Sequence, residues 1–254
     1  MATQYIVAVD GVEVARYTHT SVDATYMWEV DLSKFPNVNK TYSVTVQAVS
    51  NAENVVDSRP ALLEQVVKKA STPSIAVSYS DPYYTDNGLI QVTVVTESDY
   101  KTGYLYTVGG ATSPEKSSTT YDYCPHSVGT FNIRVHSCGG QFDSQGVLYL
   151  DSDDASTSIT LLATPSNLTP GQDNVISWRA VTGATAGYTV TITLTDSNGG
   201  TTMTQNVKNV TTISLKTIFG VTMDQVKLIQ VSANGNGSDL IASAPASYTN
   251  NAAN

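Results

Sequence analysis

Two cysteines and two histidines are the residues of this sequence whose types and spacing most resemble a metal site. Cys124 and His126 are separated by one residue, and His136 and Cys138 repeat that spacing in reverse order further along the chain. Thiolate sulfur and imidazole nitrogen are the ligands that zinc prefers in proteins. A hairpin could bring the two pairs together, so zinc binding has to be considered.

The strand pattern around these residues argues against that site. Phe131, Ile133 and Val135 alternate with polar residues, so His136 is expected to point away from the core. Cys124 and Cys138 would lie on opposite sheets, too far apart for a disulfide, which requires Cα atoms within about 7 Å. We therefore expect two reduced thiols, no metal here and no cofactor. Reduced thiols suit assembly inside a cell.

Three acidic residues offer a second candidate metal site. Asp151, Asp153 and Asp154 lie close together in the sequence, at the junction of the second and third of the three repeats described below. Carboxylate oxygens are ligands for calcium. The same residues also fit a solvated strand end, which we favour. Calcium binding stays the weaker alternative.

Aromatic residues provide the best candidate binding site. Tyr83 and Tyr84 lie in a predicted loop, and Tyr100, Tyr104 and Tyr106 follow nearby. Tyrosine combines a large contact area with a hydrogen-bonding tip, which suits recognition of a protein or a surface glycan. We take Tyr83, Tyr84 and Tyr100 as the candidate binding residues.

Catalytic motifs and nucleic-acid-binding features are both missing from the sequence. We find no nucleophile elbow, phosphate-binding glycine loop or metalloprotease helix, so we do not expect an enzyme. Asn198-Gly199-Gly200 is better explained as a hairpin turn. The net charge is −9 and the basic pair Lys68–Lys69 fits a solvated linker, which argues against a nucleic-acid partner. No apolar run reaches the roughly 18 residues of a membrane span, so no membrane insertion is expected.

Alternating apolar residues recur three times at a spacing of roughly 90 residues, the size of one β-sandwich. The segments are 41–49, 130–138 and 225–233. In the third, Gln225 and Lys227 occupy positions where the other two have apolar residues. We therefore predict a bulge near Leu228, since one extra residue exchanges the two faces of a strand.

The segments that follow these strands also match one another. They are 54–61, 147–155 and 239–246, and two of them carry Asp-Ser. The combined pattern resembles the F strand, the following loop and the G strand of bacterial and phage fibronectin type III repeats. Residues 174–178 and 187–194 resemble strands B and C of that family, which implies that Trp178 is the core tryptophan. Residues 73–80, 89–96 and 103–108 are the candidate strands A, B and C of the second repeat.

The first repeat begins too late to contain strands A and B. Residues 5–9 resemble strand C, Asp10-Gly11 predicts a hairpin turn, and residues 12–17 form the next strand. Tyr26, Trp28, Val30 and Leu32 would form strand E. Without A and B, this repeat has an open edge and an uncovered apolar face. The chain could be part of a longer protein, a neighbouring subunit could fill the gap, or the half-domain could pack differently against the second repeat.

Together these observations predict an all-β protein of tandem immunoglobulin-like, fibronectin III-like sandwiches. We expect an incomplete domain over residues 1–68, an immunoglobulin-like domain over 69–156, a fibronectin III-like domain over 157–249 and a tail over 250–254. The resemblance implies a structural assembly protein, such as a phage virion decoration, tail or fibre component or a filament subunit. It would bind other protein subunits through the open edge of the first domain.

The alternative function is an extracellular bacterial adhesin, spacer or carbohydrate-binding module. Met1 leads directly into a strand pattern, with no signal peptide in the chain as given. We expect a location in a virion or at a cell surface.

Overall fold

The computed structural model describes residues 2–21, 25–29, 31–195 and 200–251. Within these residues, helix is confined to the short α-helix α1 (Leu215–Phe219) and to 3-10 turns at Leu32–Lys34 and Met223–Gln225. The rest of the regular structure is β-strand, which confirms the predicted all-β class. No helix in the described ranges is long and apolar enough to cross a membrane.

The strands follow the three repeats of the sequence. Those of the first repeat are β1 (Gln4–Val9), β2 (Val12–Thr18), β3 (Lys40–Val49) and β4 (Ala61–Lys69). The second contains β5 (Ser74–Tyr79), β6 (Ile90–Thr96), β7 (Gly103–Val108), β8 (Ala111–Thr112), β9 (Thr120–Tyr123), β10 (Gly129–Cys138), β11 (Gln141–Phe142), β12 (Leu148–Leu150) and β13 (Ala155–Leu161). The third contains β14 (Ser166–Pro170), β15 (Val175–Arg179), β16 (Tyr188–Leu194), β17 (Thr202–Val207), β18 (Thr212–Ser214), β19 (Val226–Ala233), β20 (Leu240–Ile241) and β21 (Ala246–Thr249).

The second and third repeats are two-sheet sandwiches with the same strand order. In the third, a sheet β14-β15-β18 faces a sheet β17-β16-β19-β21. In the second, β5-β6-β9 faces β20-β13-β10-β7-β8. Inward residues of both sheets form one core per repeat, as in immunoglobulin-like folds. Trp178, 5% exposed, lies in the third core as predicted.

The first repeat has one sheet. Its order is β11-β12-β4-β3-β1-β2, so the hairpin β11–β12 of the second repeat extends it. A separate small core, including Val7, Val9 and Val44, lies against one face of this sheet. No second sheet covers that face within the described residues.

The predicted bulge in the third repeat is confirmed. Thr193 pairs with Leu228, but the next residue, Leu194, pairs with Val226. Lys227 is therefore the extra residue, and it lets Val226 and Ile229 both point into the core.

The predicted strand E of the first repeat is wrong for the residues that can be seen. Residues 25–29 alternate between exposed and half-buried side chains, as a strand would, but they form no ladder with another strand in the described structure. No strand of the described structure occupies the place of strand B, its expected neighbour, and a segment without a hydrogen-bonded partner is not a strand. Leu32 begins a 3-10 turn instead. Val30 lies outside the described residues, as do Asn198 and Gly199 of the predicted hairpin turn.

The serines of the segments 54–61, 147–155 and 239–246 are not part of the last strand of each repeat, as the resemblance implied, but precede that strand. Ser58, Ser152 and Ser243 each accept a hydrogen bond on Oγ from a backbone N–H near the end of the preceding long strand, at 3.0, 2.9 and 2.8 Å. Each also donates its own N–H back to the same residue. We call this reciprocal pair the serine clasp; it holds the chain against the end of β3, β10 or β19.

The second and third repeats each contact the preceding one through a short strand just before the serine clasp. β12 pairs in parallel with the end of β4, and β20 pairs in parallel with the end of β13. Lys68 and Lys69 therefore lie in a strand and not in a linker. The domain boundaries stay predictions; β13 runs across the one placed between residues 156 and 157.

Candidate protein-binding face

The candidate site is the inner face of the first sheet, which we call the open face. Cross-strand partners share a face, and the ladders pair Val9 with Val44 and Val44 with Leu63. Val7 pairs with Val46 in the same way. Period-two alternation therefore places these five apolar side chains on one side of the sheet.

One half of the open face is covered by this repeat's own chain. Phe35 is buried and contacts Tyr42 edge to face, with ring centroids 5.0 Å apart. Trp28 lies beside Phe35 at 6.4 Å, and Tyr26 lies beside Tyr5 at 5.3 Å. The segment that should have been strand E thus covers β1 and β2 without forming a strand.

The other half of the open face is exposed. Val46 is 42% exposed, Leu63 61% and Phe142 46%, although all three are large apolar residues on the strands or hairpin of one sheet. Together with the covering aromatic residues they line a cleft of about 770 Å³. Exposed apolar surface of this kind is typical of an interaction site.

The complete sandwiches explain why this half is open. In the second repeat, β5 and β6 supply Ile75, Val77, Ile90 and Val92 to the core. The first repeat has no strands corresponding to β5 and β6 in the described residues, and these residues leave a cleft above β3 and β4 in the equivalent place. The prediction of an uncovered apolar face thus matches the geometry.

The hairpin of the second repeat borders the cleft but does not fill it. Gln65 Nε2 donates a hydrogen bond of 2.8 Å to the Gly146 carbonyl, which ties β4 to the hairpin loop. Within that loop the N–H groups of Val147 and Gln145 donate hydrogen bonds to the Asp143 carboxylate. These bonds lower the pKa of the Asp143 carboxyl group, and the bond from Val147 has the largest effect. The hairpin is therefore a fixed wall of the cleft.

The structure separates the three candidate tyrosines. Tyr83 lies in the loop before β6, forms a bridge with Ala242 of the third repeat and is 38% exposed. Tyr84 is half-buried and donates to Asp86 at 3.1 Å. Tyr100 lies beyond the other end of β6 and stacks on Tyr149, with ring centroids 4.7 Å apart. Tyr83 and Tyr100 thus lie at two different junctions between repeats, whereas Tyr84 packs against the core of the second repeat.

Tyr104 and Tyr106, which the sequence placed near this group, are core residues. Both side chains are fully buried on β7. Their alternation with Leu105 is that of a strand buried on one face, and this signal was already present in the predicted strand 103–108.

The three aspartates of the calcium candidate do not converge. Asp151 accepts the N–H of Gly139 at 2.7 Å, Asp153 forms an ion pair with Lys69, and Asp154 lies 3.0 Å from Nδ1 of His136. No cluster of three metal-ligating side chains occurs in the described part of the chain. Calcium binding gains no support from this geometry.

The cysteines and histidines are also apart in the fold. Cys124 follows β9 in one sheet, and Cys138 ends β10 in the facing sheet, as the sequence argument placed them. Both are free thiols. His136 is half-buried and directed toward Asp154.

We predict that Cys138 reacts slowly with alkylating reagents. Burial foremost, with the nearby Glu115 and Asp151 charges, raises the pKa of this thiol to about 11. At pH 8 its thiolate fraction should be about a hundredfold smaller than that of an ordinary thiol. Iodoacetamide labelling of Cys124→Ser, followed by mass spectrometry, measures this rate. Equal rates in the native and the denaturant-unfolded protein would contradict it.

Sequence reasoning found the open face but not the residues that matter most there. Leu63 lies on β4, which the sequence did not identify as a strand, and Phe142 comes from another repeat. The alternation of residues 61–67 was a weak signal because both Leu62 and Leu63 are apolar. A hairpin that joins a neighbouring repeat's sheet has no local sequence signal.

The chain is similar to known proteins only at the level of solved structures, and the similarity is low. No family model and no curated protein sequence matches the chain. Among solved structures, a central fibronectin-III array of RIM-binding protein is similar at 16% identity and a TM-score of 0.27, covering 98% of this chain and 88% of that one. The chicken CNTN1 FN1-FN3 domains are similar at 12% identity and a TM-score of 0.30, covering 98% and 90%. Because these scores are low, the fold is assigned from the chain's own strand order: an all-β protein of tandem immunoglobulin-like, fibronectin III-like sandwiches.

Proposed function

We propose that the chain is a non-enzymatic structural assembly protein that binds another subunit through the open face. The observation that carries this proposal is the exposure of Val46, Leu63 and Phe142 on the inner face of a sheet whose counterparts are fully covered in the other repeats. The bound partner supplies apolar side chains to the 770 Å³ cleft. Burying that surface drives the association.

The finer proposal is a component of a virion, such as a decoration, tail or fibre protein, or a subunit of a surface filament. It is supported by the sequence resemblance of the strand and loop segments to phage-type repeats. Free thiols at Cys124 and Cys138 fit assembly in a reducing compartment. Such a protein acts through its interfaces and needs no catalytic residue or cofactor.

Leu63→Asp is expected to prevent this assembly. A charge in the cleft removes an apolar contact and has to be desolvated when the partner binds, which should weaken binding about 30-fold or more. Gradient sedimentation of assembled material from the producing cells measures the fraction of the protein incorporated. The free protein should melt at nearly the same temperature as the wild type, because Leu63 is 61% exposed.

Leu62→Asp is the matched control. Leu62 is the same residue type, 64% exposed, on the same strand. It also borders the cleft, but alternation turns its side chain to the opposite face, where its cross-strand partner is Thr45. Equal incorporation of both variants, or no incorporation of the wild type into any larger particle, would contradict the proposed function.

A further inference from the structure

The two junctions between repeats are built in the same way. In the second repeat, Tyr149 and Leu150 pair in parallel with Lys68 and Lys69 of the preceding repeat's last strand. In the third, Leu240 and Ile241 pair in the same manner with Thr160 and Leu161. In each case the two residues lie three and two positions before the serine of the clasp. We call such a pair of residues a junction strand.

Backbone hydrogen bonds also repeat between the two junctions. The Leu150 carbonyl accepts the N–H of Ala70 at 2.9 Å, and the Ile241 carbonyl accepts the N–H of Leu162 at 3.2 Å. Ala70 and Leu162 each directly follow a last strand, β4 or β13. A carbonyl group of each junction strand thus accepts a hydrogen bond from a backbone N–H at the end of the preceding repeat.

The first repeat contains the same loop. Its clasp joins Ala48 to Ser58 and that of the third repeat joins Ala233 to Ser243, so each spans 10 residues. In the first and second repeats, the aspartate before the clasp serine also accepts a hydrogen bond from an equivalent backbone N–H. Asp57 accepts the N–H of Ser50 at 2.9 Å, as Asp151 accepts that of Gly139 at 2.7 Å.

Val55 and Val56 occupy the junction positions of this loop, three and two residues before Ser58. Val55 is 39% exposed and Val56 91%, whereas Leu240 and Ile241 are both half-buried. Val56 makes no hydrogen bond to any described residue. Two adjacent β-branched residues favour a strand, yet no strand lies beside them in the described structure.

We propose that Val55 and Val56 are a third junction strand, which pairs in parallel with the end of the last strand of an immunoglobulin-like module outside residues 1–254. The two internal junctions define the partner: a sandwich whose last strand has a free outer edge and a backbone N–H just beyond its end. The Val56 carbonyl accepts that N–H, as those of Leu150 and Ile241 do. This surface is separate from the open face, and the proposal does not depend on the proposed function.

Photo-cross-linking of the full chain tests this inference. p-Benzoylphenylalanine at position 56, in the cells that produce the protein, should form a cross-link to a segment outside residues 1–254, and peptide mass spectrometry should place it at the end of the last strand of a β-sandwich. The same residue at Ile241 is the positive control and should cross-link within the chain to residues 160–162. At Val95, 64% exposed on β6, no such product is expected.

Two further variants separate this junction from the open face. Position 56 bears the cross-linker, so the blocking change is Val55→Pro. It removes the N–H that Val55 donates to the Ala52 carbonyl and restricts Asn54, whose φ is positive, so the junction strand should be displaced and the cross-link abolished. Leu63→Asp should leave it intact. A cross-link to a helical or loop segment, a cross-link to residues 1–254 of the same molecule, or no cross-link would overturn the proposal, whatever the outcome for assembly through the open face.

Discussion

Tyr106→Ala is expected to remove about 3–5 kcal/mol from the free energy of unfolding of the second repeat, as large-to-small aromatic changes in cores do. The ring is fully buried and stacks on Tyr121 with centroids 5.2 Å apart. Its hydroxyl donates a hydrogen bond of 2.8 Å to the Ser118 carbonyl. The truncation therefore leaves a cavity between the sheets and an acceptor without its donor.

Hydrogen exchange of the peptide 129–138, read by mass spectrometry in increasing denaturant, reports this loss within the second repeat. The two tryptophans, Trp28 and Trp178, lie in the other repeats and do not report on it directly. Tyr106→Phe is the control, since it keeps the ring and loses one hydrogen bond, at a cost of about 1 kcal/mol. A loss below about 1 kcal/mol for Tyr106→Ala would show that this core is not packed as described.

Gly139→Ala should detach the hairpin β11–β12 from the first sheet. A Cβ at Gly139 would lie 2.4–2.6 Å from backbone atoms of Tyr149 and Leu150, so β12 cannot stay where it is. Moving β12 breaks its pairing with β4 and exposes Leu148, which is fully buried. We expect a loss of about 1–3 kcal/mol, in the range of overpacked cores.

Hydrogen exchange of residues 67–70 and 148–150 measures this detachment, because both sides of the ladder lose protection together. Gly171→Ala is the matched control, since its nearest contact would be an ordinary 3.7 Å to the Val175 carbonyl. Gly235→Ala should act on the second junction as Gly139→Ala acts on the first, because its Cβ would lie 2.4 Å from the Leu240 carbonyl. Normal protection in Gly139→Ala would contradict the close approach on which the junction depends.

The core strands could be predicted from the sequence because their side chains alternate. Phe131, Ile133 and Val135 are buried on β10, and the polar residues at Gln225 and Lys227 correctly indicated a bulge. The sequence also led us to expect an uncovered face on the first repeat, and no second sheet covers it within the described residues. Both predictions rest on local properties of the sequence, namely the alternation of apolar and polar residues in a strand and the number of strand-like segments in a repeat.

Other features depend on contacts between distant residues. The sequence could not show that Ser152 clasps Ser137, that Tyr100 stacks on Tyr149, or that Phe142 of one repeat borders the cleft of another. It also placed strand E at Tyr26, Trp28, Val30 and Leu32, whereas residues 25–29 join no ladder in the described structure.

Alternation along each strand thus determined which side chains of this chain point inward. Only the tertiary structure shows which strand the loop after each long strand contacts. That contact is a backbone pairing of two residues, which has no side-chain pattern and forms only after the preceding repeat has folded. The alternation of apolar and polar residues can be read from residues that are neighbours in the sequence. A junction depends instead on two surfaces that meet only after each repeat has folded.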